Sequence, residues 1–235
     1  MRWLYWQFDK PASTESDLVV FANRRLQTLR QKIGILPKHR NYPVIGIGTD
    51  PIKILHKKRI TPLCLVFFGV LKKFQGLDLF FDSAPELYKQ CQNIRLIVIG
   101  GGPDEQYFKN RAQKCPFPVQ FTGYIPNQNK VGAFLSRSHI GIAPYMSDES
   151  SVSYFTDPSK IKHYVSSGLP VITTGIIQFS KEIKKEKAGE IIPYKTKDFI
   201  RACIRIWRNY PFYQSNALRL AQKYYYKDIY ASFFT

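Results

Sequence analysis

The feature that most constrains the fold is an alternation, from Tyr42 onward, of short apolar runs with longer amphipathic segments. Each run is continuously hydrophobic, which is typical of strands covered on both faces. The runs are YPVIGIG, LCLVFFG, RLIVIGGG, VQFTGY, HIGIAPY, LPVITT and GEIIPY. Strands that alternate with helices predict an α/β fold, with a doubly wound, mostly parallel sheet and helices on both faces.

The predicted helices lie between these runs, and the chain ends differ from its middle. Residues 197–230 predict two helices interrupted at NYPFY. Near the amino terminus, WLYWQF and DLVVFA each predict a short strand, and NRRLQTLRQKIG predicts a helix that ends at Gly34. We therefore divide the chain into residues 1–41, a main domain over 42–210, and a closing helix over 211–235. The helices predicted between the runs are LDLFFDSAPELYKQC, PDEQYFKNRAQKC, NQNKVGAFLSR, PSKIKHYVSS and SKEIKKEKA.

The charge balance indicates an anionic partner. The 235 residues include 35 Lys and Arg against 17 Asp and Glu, a net charge of +18. Such a charge attracts nucleic acid, anionic lipid headgroups or phosphorylated substrates. The basic run KILHKKR, Lys53 to Arg59, is either a solvated loop or a patch for membrane or nucleic acid. The terminal YYYKDIYASFF favours a helix that packs its aromatic rings over a platform for stacked bases, which disfavours nucleic acid.

The cellular setting is predicted from what the sequence lacks. No apolar run approaches the roughly 18 residues of a membrane span, so we expect a soluble or peripheral protein. The four cysteines show neither C-x-x-C pairs nor zinc-site spacing, which indicates a reducing cytoplasm.

The stretch TDPSKIKHYVSSGLPVITT carries the sharpest candidate site. It predicts a short helix with Asp157 at the N-cap, Pro158 at the first position and Gly168 at the end. Lys160 and Lys162 occupy its first turn, where the helix dipole disfavours cations. A diphosphate bound there would gain from free backbone N–H groups and from both lysines. Alternatively, lysine is simply common in this chain and Asp157 offsets the dipole.

Other candidates lie where predicted strands end, because ligands bind at the carboxyl edge of open parallel sheets. This edge includes Gly69 with Lys72 and Lys73, and the segment Gly123-Tyr124-Ile125. The glycines of IGGGPDEQY lack G-x-G-x-x-G spacing and follow the third run, which disfavours an NAD-dependent oxidoreductase.

From about Asp17 to the end, the order of motifs resembles the carboxyl-terminal, donor-binding half of a family 4 (group 1) glycosyltransferase of the GT-B fold. The amino-terminal domain of that family is mostly absent, and residues 1–41 resemble its last fragments. The segments that carry the resemblance are SDLVVFANRRLQTL, IGIGTD, LVFFGVLKKFQGLDLFFDSAPEL, LIVIGGGP, VQFTGYI, HIGIAPY, DPSKIKHYVSSGLPVI and AQKYYYKDIY.

The resemblance implies a Rossmann-like domain that binds a nucleotide-diphosphate sugar as substrate, with no cofactor and no metal. Lys160 would act in catalysis by contacting the diphosphate. The other implied donor-binding residues are Gly69, Lys72 and Lys73 at the phosphates, Tyr124 and Ile125 at the base, Ser159 at the helix start, and His163 at the ribose. His163 stands where the family usually has an acidic residue. Further departures are Val70 for a loop arginine, Phe74 or Gln75 for a loop lysine, and Phe155 for a glutamate.

The resulting expectation is the donor-binding half of a retaining glycosyltransferase that transfers a sugar to an acceptor hydroxyl. Such a half needs an acceptor-binding partner, either a domain or another chain, so activity of the isolated chain stays open. The resemblance also implies a cytoplasmic protein at the inner face of an anionic membrane. The alternative is a non-catalytic nucleotide- or polyanion-binding module, which the loss of an acidic residue at His163 favours.

Overall fold

The computed structural model describes residues 2–38, 40, 42–52, 62–146 and 152–234. In chain order the elements are α1 (Arg2–Glu15), α2 (Arg24–Lys32), β1 (Leu63–Phe68), α3 (Leu77–Gln90), β2 (Ile94–Ile99), α4 (Glu105–Ala112), β3 (Val119–Gly123), α5 (Gln128–Ser136), β4 (Ile140–Ala143), α6 (Ser159–Ser166), β5 (Val171–Thr174), α7 (Ser180–Lys185), β6 (Gly189–Ile192), α8 (Thr196–Arg208), α9 (Tyr210–Gln222) and α10 (Tyr226–Phe234), with short 3-10 turns at Lys73–Gln75 and Val152–Phe155.

The strands form one parallel six-stranded sheet in the order β3-β2-β1-β4-β5-β6. Successive strands β1 to β3 are added on one side of β1, and strands β4 to β6 are added on the other side, as in a doubly wound fold. Six of the seven apolar runs are therefore confirmed as strands. The first run, Tyr42 to Gly48, is not a strand. It makes an isolated bridge from Val44 to Phe21, and a second bridge joins Thr49 to Tyr225.

The continuous hydrophobicity of β1 follows from burial on both faces. Leu63, Leu65 and Phe67 face a core cluster formed with α3 and α8, whereas Cys64 and Val66 face a second cluster formed with α5, α6, α7 and α9. Successive strand side chains alternate between faces, so a strand with helices on both sides needs apolar residues throughout. The predicted doubly wound sheet with two helical layers is confirmed.

The amino-terminal prediction of two strands is wrong. WLYWQF lies within helix α1, and DLVVFA contributes the single bridge at Phe21. A helix satisfies its own backbone groups, whereas a short strand needs a neighbouring strand. The α2 helix is confirmed. Its N-cap Asn23 accepts a hydrogen bond from the N–H of Leu26 at 2.9 Å.

The carboxyl-terminal segment has more helices than the two predicted over residues 197–230. The break at NYPFY is confirmed, since α8 ends at Arg208 and α9 begins at Tyr210. A second break separates α9 from α10, where Thr49 bridges to Tyr225, so the single closing helix predicted over 211–235 is wrong. The basic run Lys53 to Arg59 lies outside the described residues.

Candidate functional site

The turn after β1 passes close to the turn after β2 at the carboxyl edge of the sheet. Gly69 adopts φ +140°, a conformation that favours glycine, and its N–H donates to the carbonyl of Ile99 at 2.9 Å. A Cβ added to Gly100 would lie 2.0 Å from the carbonyl oxygen of Gly69. The two backbone segments can therefore meet here because Gly100 has no side chain. The loop continues through the Lys73–Gln75 turn to Gly76, also at positive φ.

Lys160 lies directly against this glycine loop. A Cβ built on Gly69 would be 3.5 Å from the Lys160 Nζ. The amine donates to the Gln75 side-chain carbonyl at 2.6 Å and lies over the rings of Phe67 and Tyr145, 4.6 and 4.7 Å from their centroids. The residue is only 8% exposed. Burial lowers the pKa of the Lys160 amine from 10.5 to about 7.

Lys162 has a different environment, and the prediction that both lysines meet a phosphate is wrong for this residue. Its Nζ lies 2.8 Å from both carboxylate oxygens of Asp157 and donates to the carbonyl of Ile47 at 3.1 Å. The rings of Phe179 and Tyr224 flank the amine at 4.2 and 4.9 Å. Burial lowers the pKa of the Lys162 amine, and the Asp157 carboxylate offsets part of that shift. Lys162 is a buried structural cation.

The predicted N-cap role of Asp157 is also wrong. Its carboxylate accepts from the Ile47 N–H at 2.8 Å and pairs with Lys162, so it connects the segment entering the domain to α6. The N-cap of α6 is Pro158, and no side chain caps the helix. These two partners occupy the carboxylate, so it does not cap the helix. Ser159 begins α6 and is exposed, and Gly168 follows its end at φ +67°, as predicted.

His163 lines a cavity of about 430 Å³ between α5, α6 and the segment that ends at Ile52. Its ring meets Phe68 edge-on, with centroids 5.8 Å apart. Burial lowers the pKa of His163 below its usual value of 6.5, and the nearby Asp50 carboxylate raises it in part. The polar residues of the cavity wall are Asp50, Gln128, Asn129, Ser136 and His163.

The remaining predicted donor residues lie along the same edge of the sheet. Lys72 and Lys73 are exposed. The amine of Lys73 lies 4.3 Å above the ring of Tyr107 on α4, and that of Lys72 lies 5.7 Å above the ring of Phe74. Tyr124 is 80% exposed, whereas Ile125 packs in part against the second core cluster.

Sequence reasoning missed two residues of this edge. Gln75 was considered only as a replacement for a loop lysine, yet it holds the Lys160 amine. Asp50 appeared only as the last residue of the segment IGIGTD, yet it shares a cavity with His163. The position of Asp50, a charged residue directly after an apolar run, was a sequence signal for a site. No sequence signal indicates the contact between residues 75 and 160.

Among residues 2–38, 40, 42–52, 62–146 and 152–234, no three His, Cys, Asp or Glu side chains converge as metal ligands. Within the same part of the chain, no helix has the length and apolarity needed to cross a bilayer.

Comparison with solved structures supports the fold. A pneumococcal O-GlcNAc transferase, GtfA, solved with UDP and GlcNAc, aligns with TM-score 0.74 and 14% identity over 98% of this chain and 46% of its own. Sucrose-phosphate synthase from Thermosynechococcus elongatus aligns with TM-score 0.74 and 13% identity over 98% of this chain and 60% of its own. WaaG, a glycosyltransferase of lipopolysaccharide biosynthesis, aligns with TM-score 0.69 and 16% identity over 90% of this chain and 59% of its own.

This chain thus spans between 46% and 60% of the length of these three proteins. No curated protein matched the sequence significantly. The sequence model described as Glycosyl transferases group 1 matches residues 62–209, which is more than half of the chain and includes every strand of the sheet. The chain belongs to the group 1 glycosyl transferases.

Proposed function

We propose that this chain binds a nucleotide-diphosphate sugar at the carboxyl edge of its sheet, as the donor-binding half of a retaining glycosyltransferase. The observation that carries this proposal is the environment of Lys160. Its amine is buried against a glycine loop, and its hydrogen-bond partner among the described residues is a neutral amide. A desolvated cation beside the backbone of a glycine loop is a suitable partner for a phosphate.

The chemistry of sugar transfer gives this amine a role. When the bond to the sugar breaks, negative charge develops on the leaving diphosphate, and a positioned cation stabilises it. Burial lowers the pKa of Lys160 to about 7, so its amine can lose its proton near neutral pH. An adjacent diphosphate favours the ammonium form. Donor binding above pH 7 should therefore be accompanied by proton uptake at Lys160.

The other donor-binding residues are assigned around this contact. In this proposal Gly69 lets the backbone approach the phosphates, Ser159 lies at the open start of α6, and Lys72 and Lys73 add positive charge. Tyr124 and Ile125 border the base. The cavity beside His163 receives the nucleoside, and the half-buried imidazole contacts the ribose.

Sugar transfer to an acceptor hydroxyl also requires that the edge be covered, since water competes with the acceptor. Four apolar side chains at this edge are exposed: Val70 at 52%, Phe74 at 42%, Tyr124 at 80% and Met146 at 45%. We propose that an acceptor-binding domain, on the same or another chain, covers them. The net charge of +18 supports a cytoplasmic location at an anionic membrane surface.

Isothermal titration with UDP, GDP, ADP and NAD tests donor binding. Lys160→Met should weaken binding of the preferred nucleoside diphosphate by ~1.5–3 kcal/mol, the range for a hydrogen bond to a charged group. Lys89→Met, on the exposed face of α3, is the matched control and should bind like the parent. Equal binding by the parent and Lys160→Met would remove the phosphate contact, and preference for NAD would remove the glycosyltransferase assignment.

A non-catalytic nucleotide- or polyanion-binding module is the second candidate. Val70 in the glycine loop and the imidazole of His163 favour it, because each replaces a charged group of the family pattern. A module of this kind would bind nucleoside diphosphates but release no nucleotide from any nucleotide sugar. Nucleotide release from UDP-, GDP- or ADP-sugars, measured with simple acceptors, separates the two candidates.

A further inference from the structure

Among the described residues, the Lys160 amine has one side-chain hydrogen-bond partner, and that partner is a neutral amide. The neighbours of the amine are the side chain of Gln75, the rings of Phe67 and Tyr145, and the backbone of Gly69. The Tyr145 hydroxyl is the titratable group among these contacts, and burial keeps it protonated by raising its pKa well above 10. Burial is the cause of the lowered pKa of Lys160, and no charged side chain among the described residues contributes to that shift.

We propose that Gln75 is a positioning residue for the phosphate site, which holds the Lys160 amine beside the glycine loop and sets the pH range in which that amine is charged. This inference rests on the proposed function for its ligand. The contact itself is a 2.6 Å hydrogen bond between residues 85 positions apart. Gln75 is half-buried in the 3-10 turn that closes the loop, so its amide is held by the same backbone that borders the site.

A neutral amide suits this role better than a charged side chain. A carboxylate at position 75 would hold the ammonium more strongly, but it would also compete with the phosphate and repel it. A second amine would repel Lys160. An amide carbonyl stabilises the ammonium form while leaving the positive charge available to a ligand, and an amine has further hydrogen atoms to donate.

The test compares Gln75→Met and Gln75→Glu with the parent, using UDP, GDP and ADP as probes and pH values from 5.5 to 9. Gln75→Met removes the acceptor at similar size, so binding at pH 7 should weaken about tenfold and its midpoint should move to lower pH. Gln75→Glu should also weaken binding but move the midpoint to higher pH. Gln106→Met, at an exposed position on α4, is the matched control and should change neither quantity.

A direct titration makes the inference independent of any nucleotide. Lysine labelled with 13C at Cε reports the protonation of each amine by NMR, and the Lys160 signal is the one missing in Lys160→Met. Opposite shifts of its midpoint in Gln75→Met and Gln75→Glu would support the role of Gln75. An unchanged midpoint in both folded variants would overturn it. Absence of nucleotide binding by the parent, with shifted midpoints in the variants, would instead refute the proposed function alone.

Discussion

Two lysines on one helix, Lys160 and Lys162, should have opposite effects on stability when they are replaced. Both are buried in the first turn of α6. Lys162 is paired with Asp157 and bonded to the carbonyl of Ile47, whereas Lys160 has a neutral amide partner. The decisive perturbation is Lys162→Met, with Lys160→Met as the matched control at the same size and on the same turn.

The magnitude for Lys162→Met follows from the group that it leaves behind. The Asp157 side chain is 8% exposed and would lose its countercharge while it stayed buried. Removing one partner of a buried ion pair costs ~3–5 kcal/mol. Adding Asp157→Asn to Lys162→Met removes the stranded charge and keeps an acceptor for the Ile47 N–H. The double variant should therefore be more stable than Lys162→Met alone, a non-additivity that two independent sites would not show.

For Lys160→Met the sign is reversed. The pKa of this amine falls from 10.5 to about 7 in the folded chain, so the unfolded chain binds more protons between these pH values. The lysine therefore destabilises the fold fully below pH 7, and this effect disappears as pH rises through 10.5. At 1.36 kcal/mol per pH unit the shift corresponds to about 5 kcal/mol. The lost hydrogen bond and ring contacts offset part of the gain, so Lys160→Met should stabilise by ~1–3 kcal/mol at pH 6.

Urea unfolding followed by circular dichroism at pH 6 and pH 9 measures all four proteins. Lys162→Met should lower the free energy of unfolding at both pH values. Lys160→Met should raise it at pH 6 and raise it less at pH 9, where the folded amine of the parent is already neutral. If both single variants destabilise the fold equally, the assignment of Lys162 to structure and Lys160 to ligand binding is refuted.

Three further predictions concern the ligand edge and the basic surface. Affinity for a nucleoside diphosphate should rise as the pH falls and the His163 imidazole becomes protonated, and burial lowers the pKa of this group below 6.5. Binding titrations of the parent and His163→Gln from pH 7.5 to 5.0 should therefore differ. Identical pH profiles would mean that the imidazole does not face the ligand. His163→Glu should improve nucleoside-diphosphate binding at neutral pH, because a carboxylate accepts hydrogen bonds from both ribose hydroxyls. The gain should be larger when Asp50→Asn is added, because the carboxylates of Asp50 and Glu at position 163 would otherwise repel each other across one cavity. No gain in calorimetry with either variant contradicts the ribose assignment. Pelleting with anionic vesicles at low salt, lost at high salt, is expected from the net charge, and absence of pelleting at low salt contradicts the membrane proposal.

The sheet could be predicted from sequence because strands covered on both faces have a local signature. Each of the six continuous apolar runs that form strands lies between helical segments. This alternation of strands and helices implies parallel strands joined by crossover helices. The first forty residues lacked such a signature. The apolar pattern of WLYWQF fits a strand and a helix equally well. The segment is helical in α1, where the backbone groups bond within the helix and need no neighbouring strand.

The candidate site could be located from sequence but not resolved into roles, because its contacts join distant segments. The partner of Lys162 in the entering segment, Ile47, lies 115 positions away, and Gln75 lies 85 positions from Lys160. Asp157 illustrates the difficulty. Local sequence patterns predict that an aspartate just before a helix is its N-cap. In the folded chain the buried Lys162 ammonium and the Ile47 N–H both bind the Asp157 carboxylate, each at 2.8 Å.

Helical geometry explains why the two lysines nevertheless have different environments. Residues two positions apart on an α-helix point about 200° apart, so Lys160 and Lys162 cannot share one ligand. Periodicity alone does not say which of them finds an anion within the chain. Asp157 decides this, because it lies on the side of the entering segment, where it satisfies Lys162 and leaves Lys160 with a neutral amide. Among the described residues, the cation without a carboxylate partner is the one against the glycine loop, and this is the reason to expect the donor diphosphate there.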